Sequence, residues 1–326
     1  MSQVRFEVGD LAEIRFCVSP IWETVTSLWA LADPGRHVTH LPWIKWARSV
    51  AARRDVAPHL ELLTAFARPK AWLPDFLTPS PAGPLETIDD DLARLRATPL
   101  DIVTADVLVT DGNKVPLRPL GRLTAERPGE MLPRIADAVH VWWRAAILPH
   151  WPRMRALLEA DISYRARLLA DGGAKLLFDT LHPATSWAGD RLVIADGHDI
   201  DIAVNGAGFP LAPSLFYSNP PALTVSAWSA PSAFYQVRSL GTLWETRAGT
   251  PAAVARLLGP SRAQVLAMVS SPATTTSLAD RTGLTPGTVS QHLGVLRDAG
   301  LVTGYRQGRE VIYTCTDLGT ALLGDS

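Results

Sequence analysis

The sequence predicts an α+β protein: a mainly helical N-terminal region with a small antiparallel sheet, followed by a separate C-terminal module of helices and a hairpin. Two observations support this. Apolar residues recur at helical spacing through much of residues 20–170 and change to short β-like runs between 176 and 240. All eleven tryptophans lie at or before Trp244. We therefore expect a domain boundary near 245–250.

Length and composition indicate a folded chain with more than one domain. At 326 residues the chain is long for one domain. We expect a mainly helical effector or dimerisation region at 1–175, a small antiparallel β region packed on it at 176–245, and a C-terminal module at 246–326. The net charge is −1, so any binding to nucleic acid would depend on a local basic patch.

Targeting and metal-binding signals are missing from the sequence. The first ten residues lack the basic segment and apolar run of a signal peptide, and no apolar run approaches the ~20 residues of a membrane span. Cys17 and Cys315 are the only cysteines, too few for a disulfide framework or a cysteine zinc site. We therefore expect a cytoplasmic protein with no membrane contact, no metal and no cofactor.

Helical patterns dominate the first half of the chain. Ser19-Pro20 begins one helix, because Ser caps a helix and Pro suits its first turn, and Asp33-Pro34-Gly35 ends it. Asp89-Asp90-Asp91 favours a helix start electrostatically. Residues 4–16 predict one strand, and 69–84 a proline-rich loop or linker. Further helices are predicted at 41–54, 56–67, 86–97, 101–109, 129–148 and 152–170.

The β-like runs between 176 and 240 are separated by Gly, Asp, Asn and Pro, which predicts a small antiparallel sheet. One separator, Asp196-Gly197-His198-Asp199, has the composition of a catalytic cluster. We interpret it as a hairpin turn, because Asp-Gly favours such a turn.

Helix starts and stops are closely spaced after Pro251. Pro260-Ser261 begins a helix, and 274–276 offers caps for a short second one that Gly283 closes, since Gly can take the positive φ of a helix end. Thr285-Pro286 begins the next helix, which runs to Asp298 or Ala299. Two helices joined by a three- or four-residue turn that contains Gly define a helix-turn-helix.

The second of these helices has two distinct faces. Val289, Leu293 and Leu296 point inward on a helical wheel, and Ala279 lies where the two helices cross. The outward face is small and polar at its start, as a helix that enters the major groove of DNA requires. The side-chain amide of Gln291 could form hydrogen bonds with adenine. The DNA-contact residues predicted for the helices are Arg262, Thr285, Thr288, Ser290, Gln291 and His292.

A hairpin follows, with Arg306 and Arg309 at its tip. In a winged helix-turn-helix, such wing arginines contact phosphates or the minor groove. Residues 281–309 contain four arginines and one acid. The alternative is a winged helix used only for protein contacts. The wing arginines and the small groove face favour double-stranded DNA.

The C-terminal module resembles the ArsR family of winged-helix transcription regulators. The resemblance rests on residues 258–262, on 285–302 with the run TVSQHLGVLRDAGLV, and on 308–313 with the run GREVIY. It implies a homodimer on a two-fold-related operator that usually represses until an effector releases it. Metal-sensing members carry a cysteine pair around the helix before the recognition helix. Residues 274–280 contain no cysteine, so that metal site is not expected.

The N-terminal 245 residues are similar to a domain fused to ArsR-type helices in large actinobacterial-type regulators, on residues 15–23, 151–161 and 181–183. No general activity follows from this resemblance. Trp142, Trp143, Trp151 and Trp187 could line an apolar ligand pocket, although such tryptophans are more often core or interface residues. His37 and His40 have the spacing of a metal pair but lack a third ligand, which favours surface or capping roles.

Together these patterns predict a cytoplasmic, homodimeric DNA-binding regulator, a repressor that does not sense metal and is not an enzyme. Its N-terminal domain would sense an unknown small-molecule effector or mediate dimerisation. One alternative is an enzyme-like N-terminal domain fused to a DNA-binding module, which would need a cleft of converging titratable groups. Another is an N-terminal domain that serves only as a dimerisation scaffold.

Overall fold

The computed structural model describes residues 1–68, 73–84, 86–112, 116–238, 240–244, 250–269, 273–307 and 310–323. The chain divides into two compact units, Met1–Trp244 and Glu245–Ser326. Each unit has its own apolar core. Within the ranges given, no helix is long and apolar enough to cross a membrane.

The N-terminal unit is mainly helical. Its helices are α1 (Val8–Leu11), α2 (Pro20–Ala32), α3 (Leu41–Ala51), α4 (Ala57–Leu63), α5 (Ile88–Ala97), α6 (Leu100–Asp111), α7 (Pro119–Glu126), α8 (Pro128–Trp142) and α9 (Trp151–Asp179). A π-helical turn and a 3-10 turn join α8 to α9. The predicted helices are confirmed, although the one predicted at 56–67 ends at Leu63 and α7 was not predicted.

Capping residues set two of these helix starts as predicted. The Ser19 hydroxyl accepts a hydrogen bond from the Trp22 amide at the start of α2. In α5 the acidic run lies in the first turn, and Asp90 forms a capping box with Thr87. Asp91 has a further role, because its buried carboxylate accepts a hydrogen bond from the Ile21 amide (2.8 Å) and so joins α5 to α2.

The described strands of the N-terminal unit form two four-stranded sheets, β3-β4-β1-β5 and β2-β6-β8-β7. Their bounds are β1 (Ser2–Arg5), β2 (Ile14–Phe16), β3 (Thr185–Ala188), β4 (Arg191–Ile194), β5 (Asp201–Ala203), β6 (Phe209–Ser214), β7 (Ala222–Thr224) and β8 (Ser232–Gln236). The α+β class is confirmed. The prediction of one antiparallel sheet drawn from 176–240 is wrong, because β1 and β2 also take part and three strand pairs are parallel.

The N-terminal segment explains this difference. Residues 4–16 do not form the single predicted strand: α1 interrupts them, with Glu7 and Asp10 forming a capping box at its start. The two resulting strands enter different sheets. Consequently residue 175 does not separate a helical region from a β region, and Leu177 and Phe178 of α9 pack in the core that includes Val4 of β1.

The segment Asp196–Asp199 is not the predicted hairpin turn. Strand β1 lies between β4 and β5, so this segment connects two strands that are not neighbours. It is tied to β1 by the Ser2 hydroxyl, which donates to the Asp196 carboxylate (2.6 Å). An Asp-Gly pair favours a tight turn locally, but the pairing of the flanking strands is decided by the rest of the sheet.

A buried glutamate joins the helical part of this unit to its second sheet. Glu23 of α2 is 1% exposed, and both its carboxylate oxygens lie 3.1 Å from the Leu215 amide, which donates to them just after β6. The neighbouring Trp22 donates its indole N–H to the Ser214 hydroxyl (2.9 Å) and stacks on Phe234. Burial raises the pKa of Glu23 to about 8, although hydrogen bonds from Ser214 and Leu215 act in the opposite direction.

We expect the contribution of Glu23 to the stability of the N-terminal unit to fall as the pH rises from about 5 to 8. The folded chain holds the Glu23 proton up to a pKa of about 8, whereas the ordinary glutamate value is 4.5. Between these values each extra proton bound by the folded state makes the free energy of unfolding fall by about 1.4 kcal/mol per pH unit. Asp75 and Asp91, whose pKa burial raises to about 7, act in the same direction.

Glu23→Gln should flatten this pH dependence, because the amide does not titrate. Urea unfolding at several pH values, followed by tryptophan fluorescence, measures the free energy of unfolding of this unit, because all tryptophans lie in it. Glu61→Gln, at an exposed site on α4, is the control and should keep the wild-type slope. If the free energy of unfolding of Glu23→Gln fell with pH as steeply as that of the wild type, Glu23 would have the same pKa in the folded and unfolded states.

Candidate nucleic-acid interface

The C-terminal unit contains the predicted helix-turn-helix and hairpin. Its elements are α10 (Thr250–Leu258), α11 (Pro260–Met268), β9 (Ala273–Thr274), α12 (Thr275–Thr282), α13 (Pro286–Asp298), β10 (Val302–Gln307), β11 (Glu310–Cys315) and α14 (Asp317–Leu323). The strands form an antiparallel sheet in the order β10-β11-β9. Its edge strand β9 was not predicted, because two residues are too short to show a β pattern.

A left-handed glycine makes the turn between α12 and α13. Gly283 has φ 71° and ψ 13°, and its amide donates to the Ala279 carbonyl oxygen. A residue with a Cβ is strained in this conformation, which explains the glycine. Ala279 is 5% exposed and packs in the core of this unit, and its place at the crossing of the helices stays a prediction. The turn therefore ends α12 and allows α13 to begin three residues later.

The two faces of α13 differ as predicted. Val289 and Leu293 are fully buried and Leu296 is 1% exposed, all in the core of this unit. Ser290 and Gln291 are exposed. Because the apolar seam holds one side of the helix, the small polar side at its start is left accessible to solvent. A helix that reads base edges needs this arrangement.

The start of α13 is capped by a pair of threonines. The Thr285 hydroxyl accepts a hydrogen bond from the Thr288 amide (3.2 Å), and the two hydroxyl oxygens lie 2.9 Å apart. Both predicted contact residues therefore already have a structural role. The start of a helix also carries the positive end of the helix dipole, which suits a phosphate.

Two other predicted contact residues are less accessible. His292 is half-buried, and its Nδ1 atom is enclosed without a hydrogen-bond partner in the described structure. Arg262, also half-buried, lies on α11 with one guanidinium nitrogen 3.5 Å from the Leu258 carbonyl oxygen. This contact gives Arg262 a structural partner at the end of α10, and its contact with DNA stays a prediction.

The hairpin carries an exposed cation. Arg306 lies near the end of β10 and is exposed, in register with Val311 of β11. Arg309, the second predicted wing arginine, lies outside the described residues. Arg281 in the last turn of α12 and Arg297 in the last turn of α13 are also exposed. The unit thus presents cations on both helices of the motif and on the wing.

The tryptophans predicted to line a ligand pocket are packed into cores. Trp142 is fully buried and donates its indole N–H to the Ser27 hydroxyl (2.9 Å). Trp143 is 4% exposed and packs edge-on against Trp151. Trp187 stacks on Phe178 with ring centroids 5.4 Å apart. These contacts favour the alternative interpretation, that they are core residues.

The histidine pair is also structural. His37 contacts the carbonyl oxygens of Asp33 and Phe216 through its two ring nitrogens (3.0 and 3.1 Å). His40 is buried between the Leu215 carbonyl oxygen and the indole N–H of Trp244, and burial lowers its pKa to about 4. Over the described ranges, no group of three or more His, Cys, Asp or Glu could hold a metal ion.

Comparison with known proteins identifies the C-terminal fold. Residues 257–305 match a family described as a helix-turn-helix domain. Over 70 residues the chain is 40% identical to the HTH-type transcriptional regulator NmtR of Mycobacterium tuberculosis, a match that covers 21% of this chain. The chain spans 58% of the length of that relative. The chain therefore carries a C-terminal helix-turn-helix domain of the kind found in a transcription regulator.

Two glycine-to-alanine changes in this motif should have opposite effects. Gly283→Ala should destabilise α12 and α13 by about 1 kcal/mol, because alanine is strained at positive φ. Gly294 lies inside α13 with open space around the site of a Cβ, so Gly294→Ala should stabilise the helix by about 1 kcal/mol. Hydrogen exchange of peptides that cover 275–298 in the whole protein measures both changes. Equal effects of the two variants would contradict the left-handed turn.

Proposed function

We propose that this protein is a DNA-binding transcription regulator of the ArsR type, which acts as a homodimer and represses. The observation that carries the proposal is the division of α13 into a fully buried apolar seam and an exposed small polar start. The match of residues 257–305 to a helix-turn-helix domain supports it.

In this proposal α13 enters the major groove. Gln291 has the amide that can bond the N6 and N7 atoms of adenine, and Ser290 can reach a base or a phosphate. Arg306 on the wing contacts a phosphate or the minor groove, with Arg281 and Arg297 adding positive charge nearby in the motif. Arg309 would join Arg306 on the wing.

The regulator would not sense metal through the site of its metal-sensing relatives. The segment 274–280 begins at the cap of α12 and contains no cysteine. Cys315 lies on β11, half-buried, with its thiol 4.0 Å from the Leu266 carbonyl oxygen. A single thiol packed beside the core supplies one ligand at most. The signal that ends repression would therefore reach the N-terminal unit.

Two exposed leucines on adjacent helices of the C-terminal unit support the homodimer. Leu257 of α10 is 71% exposed and Leu318 of α14 is 59% exposed, and these two helices contact one another. Exposed leucines on adjacent helices suit a self-complementary two-fold interface. A dimer built there would present two copies of α13 to an operator with two-fold symmetry.

Charge substitution of these leucines should produce monomers. Leu257→Arg together with Leu318→Arg should lower the sedimentation coefficient to the monomer value, because each protomer would bury two cations in the interface. Leu108→Arg is the matched control, since Leu108 is 61% exposed on α6 of the other unit. Dissociation by Leu108→Arg alone would place the dimer interface on the N-terminal unit and favour the scaffold alternative.

DNA binding should depend on α13 and the wing in different ways. With DNA from upstream of its own gene, Gln291→Ala should lose about 1–3 kcal/mol of preference for the specific site. Arg306→Ala should weaken binding to all sequences and reduce the slope of log K against log salt by about 1. Fluorescence anisotropy measures both at several salt concentrations.

Arg256→Ala is the matched control for the wing variant, because Arg256 is an exposed arginine on α10. It should bind DNA as the wild type does. A wild-type salt slope in Arg306→Ala would remove Arg306 from the interface, and an unchanged site preference in Gln291→Ala would remove that residue from base readout.

A further inference from the structure

The N-terminal unit contains a cavity of about 720 Å³, within the range of about 300–1,000 Å³ typical of small-molecule sites. Its walls come from α2 and the turn after it, from residues 73–78, from the crossover segment 196–200 and from residues 216–224. The helical part and both sheets of this unit thus contribute. None of the tryptophans predicted as ligand contacts lines it.

Three aromatic residues form one wall of this cavity, Trp22, Trp29 and Tyr217. Their ring centroids lie 5.7–6.5 Å apart. Trp22 is held rigidly, because it stacks on Phe234 at 3.7 Å and donates to Ser214. Trp29 and Tyr217 are half-buried, so parts of their rings stay accessible. The wall is therefore a preformed aromatic surface.

Trp29 also carries an unused hydrogen-bond donor. Its indole N–H is enclosed and has no acceptor within the described parts of the chain. A buried donor without an acceptor is costly, and native structures usually satisfy it. The indole groups of Trp22 and Trp43, by comparison, each reach an acceptor at 2.9–3.0 Å. Trp29 is one of the residues that line the cavity, so the missing acceptor is one that a bound molecule could supply.

The charged lining of the cavity is mainly negative. It includes four aspartates, Asp33, Asp75, Asp196 and Asp199, against one arginine, Arg36, and two histidines. The carboxylates outnumber the one permanent cation of the lining, Arg36. Burial raises the pKa of Asp75 to about 7, so the charge of this carboxyl group changes with pH near neutrality.

We propose that this cavity binds a drug-sized organic cation with a flat aromatic body and a hydrogen-bond acceptor. The aromatic wall would hold the body of the ligand and attract its charge through the ring faces, and the aspartates would favour a cation over an anion. Its use as an effector site depends on the proposed regulatory function, whereas the binding itself does not.

The polar groups do not form a catalytic arrangement. Both ring nitrogens of His37 are occupied by carbonyl oxygens, and the Asp75 carboxylate accepts a hydrogen bond from the Val225 amide (2.8 Å). Asp196 is held by the Ser2 hydroxyl and by the His198 amide. These partners fix the groups in the wall. A binding site therefore fits the cavity better than the enzyme-like alternative.

The test uses two dyes with a common xanthene ring system and opposite charge. Rhodamine 6G is a cation with an ester carbonyl as acceptor, and fluorescein is an anion at pH 7.5. Fluorescence anisotropy with the whole protein, without DNA, measures both. We expect rhodamine 6G to bind at least tenfold more tightly than fluorescein. Equal affinity for the two dyes, or no binding of rhodamine 6G, would overturn the proposal.

Variants assign the binding to this cavity. Trp29→Ala should weaken rhodamine 6G binding by about 5- to 30-fold, and Trp46→Ala, at a tryptophan 36% exposed on α3, should leave it unchanged. The double variant Asp33→Asn with Asp199→Asn should weaken it about 3- to 10-fold and keeps the side-chain volumes if Trp29→Ala fails to fold. Wild-type affinity in that double variant would overturn the charge argument.

A DNA measurement on the same samples separates this proposal from the regulatory one. Rhodamine 6G binding with no DNA binding at all would support the cavity site and contradict the proposed function. DNA binding without binding of either dye would support the proposed function and contradict the cavity site.

Discussion

The left-handed turn at Gly283 is the constraint on which the C-terminal unit depends. It ends α12 and lets α13 begin three residues later, so the two helices pack on one core. This core contains Ala279 of α12 and buries Val289, Leu293 and Leu296 on one side of α13. With that side held, Ser290 and Gln291 face solvent at the start of the helix. The accessible polar face is therefore a consequence of the turn and the seam together.

In the N-terminal unit, α2 has a comparable role. Its buried Glu23 and Trp22 bond to residues at the end of β6 and so attach the helices to the second sheet. The Asp91 carboxylate of α5 accepts a hydrogen bond from the Ile21 amide in the first turn of the same helix. The same attachment places Trp22 and Trp29 in the wall of the cavity. A ligand between these elements would contact helix and sheet at once.

Local signals in the sequence predicted most of the C-terminal unit. Caps such as Thr285, the glycine at 283 and the spacing of Val289, Leu293 and Leu296 each act within one helix or turn, and the structure has all of them. In the N-terminal unit the helices were predictable for the same reason. The strand pairing was not, because β1 and β2 meet partners almost 200 residues away, and short apolar runs do not specify such partners.

The site residues also divide into those with a local signal and those that depend on distant contacts. Helical periodicity predicted the exposed side of α13. It did not indicate Trp22 and Trp29 of the cavity, and the sequence analysis named Trp142 and Trp143 instead. Trp22 and Trp29 lie seven residues apart on α2, a spacing that places both on one helix face. This spacing could be seen in the sequence. That the two tryptophans line a cavity could not be predicted, because residues 196–200 and 216–224 form its other walls only in the folded chain.

A DNase I footprint on the DNA upstream of the protein's own gene tests the central claim most directly. A homodimer that inserts two copies of α13 predicts two protected half-sites related by two-fold symmetry, with centres about 10 base pairs or a multiple of that apart. Protection should disappear as salt rises. The absence of protection at low salt, or a single protected site without symmetry, would contradict the account.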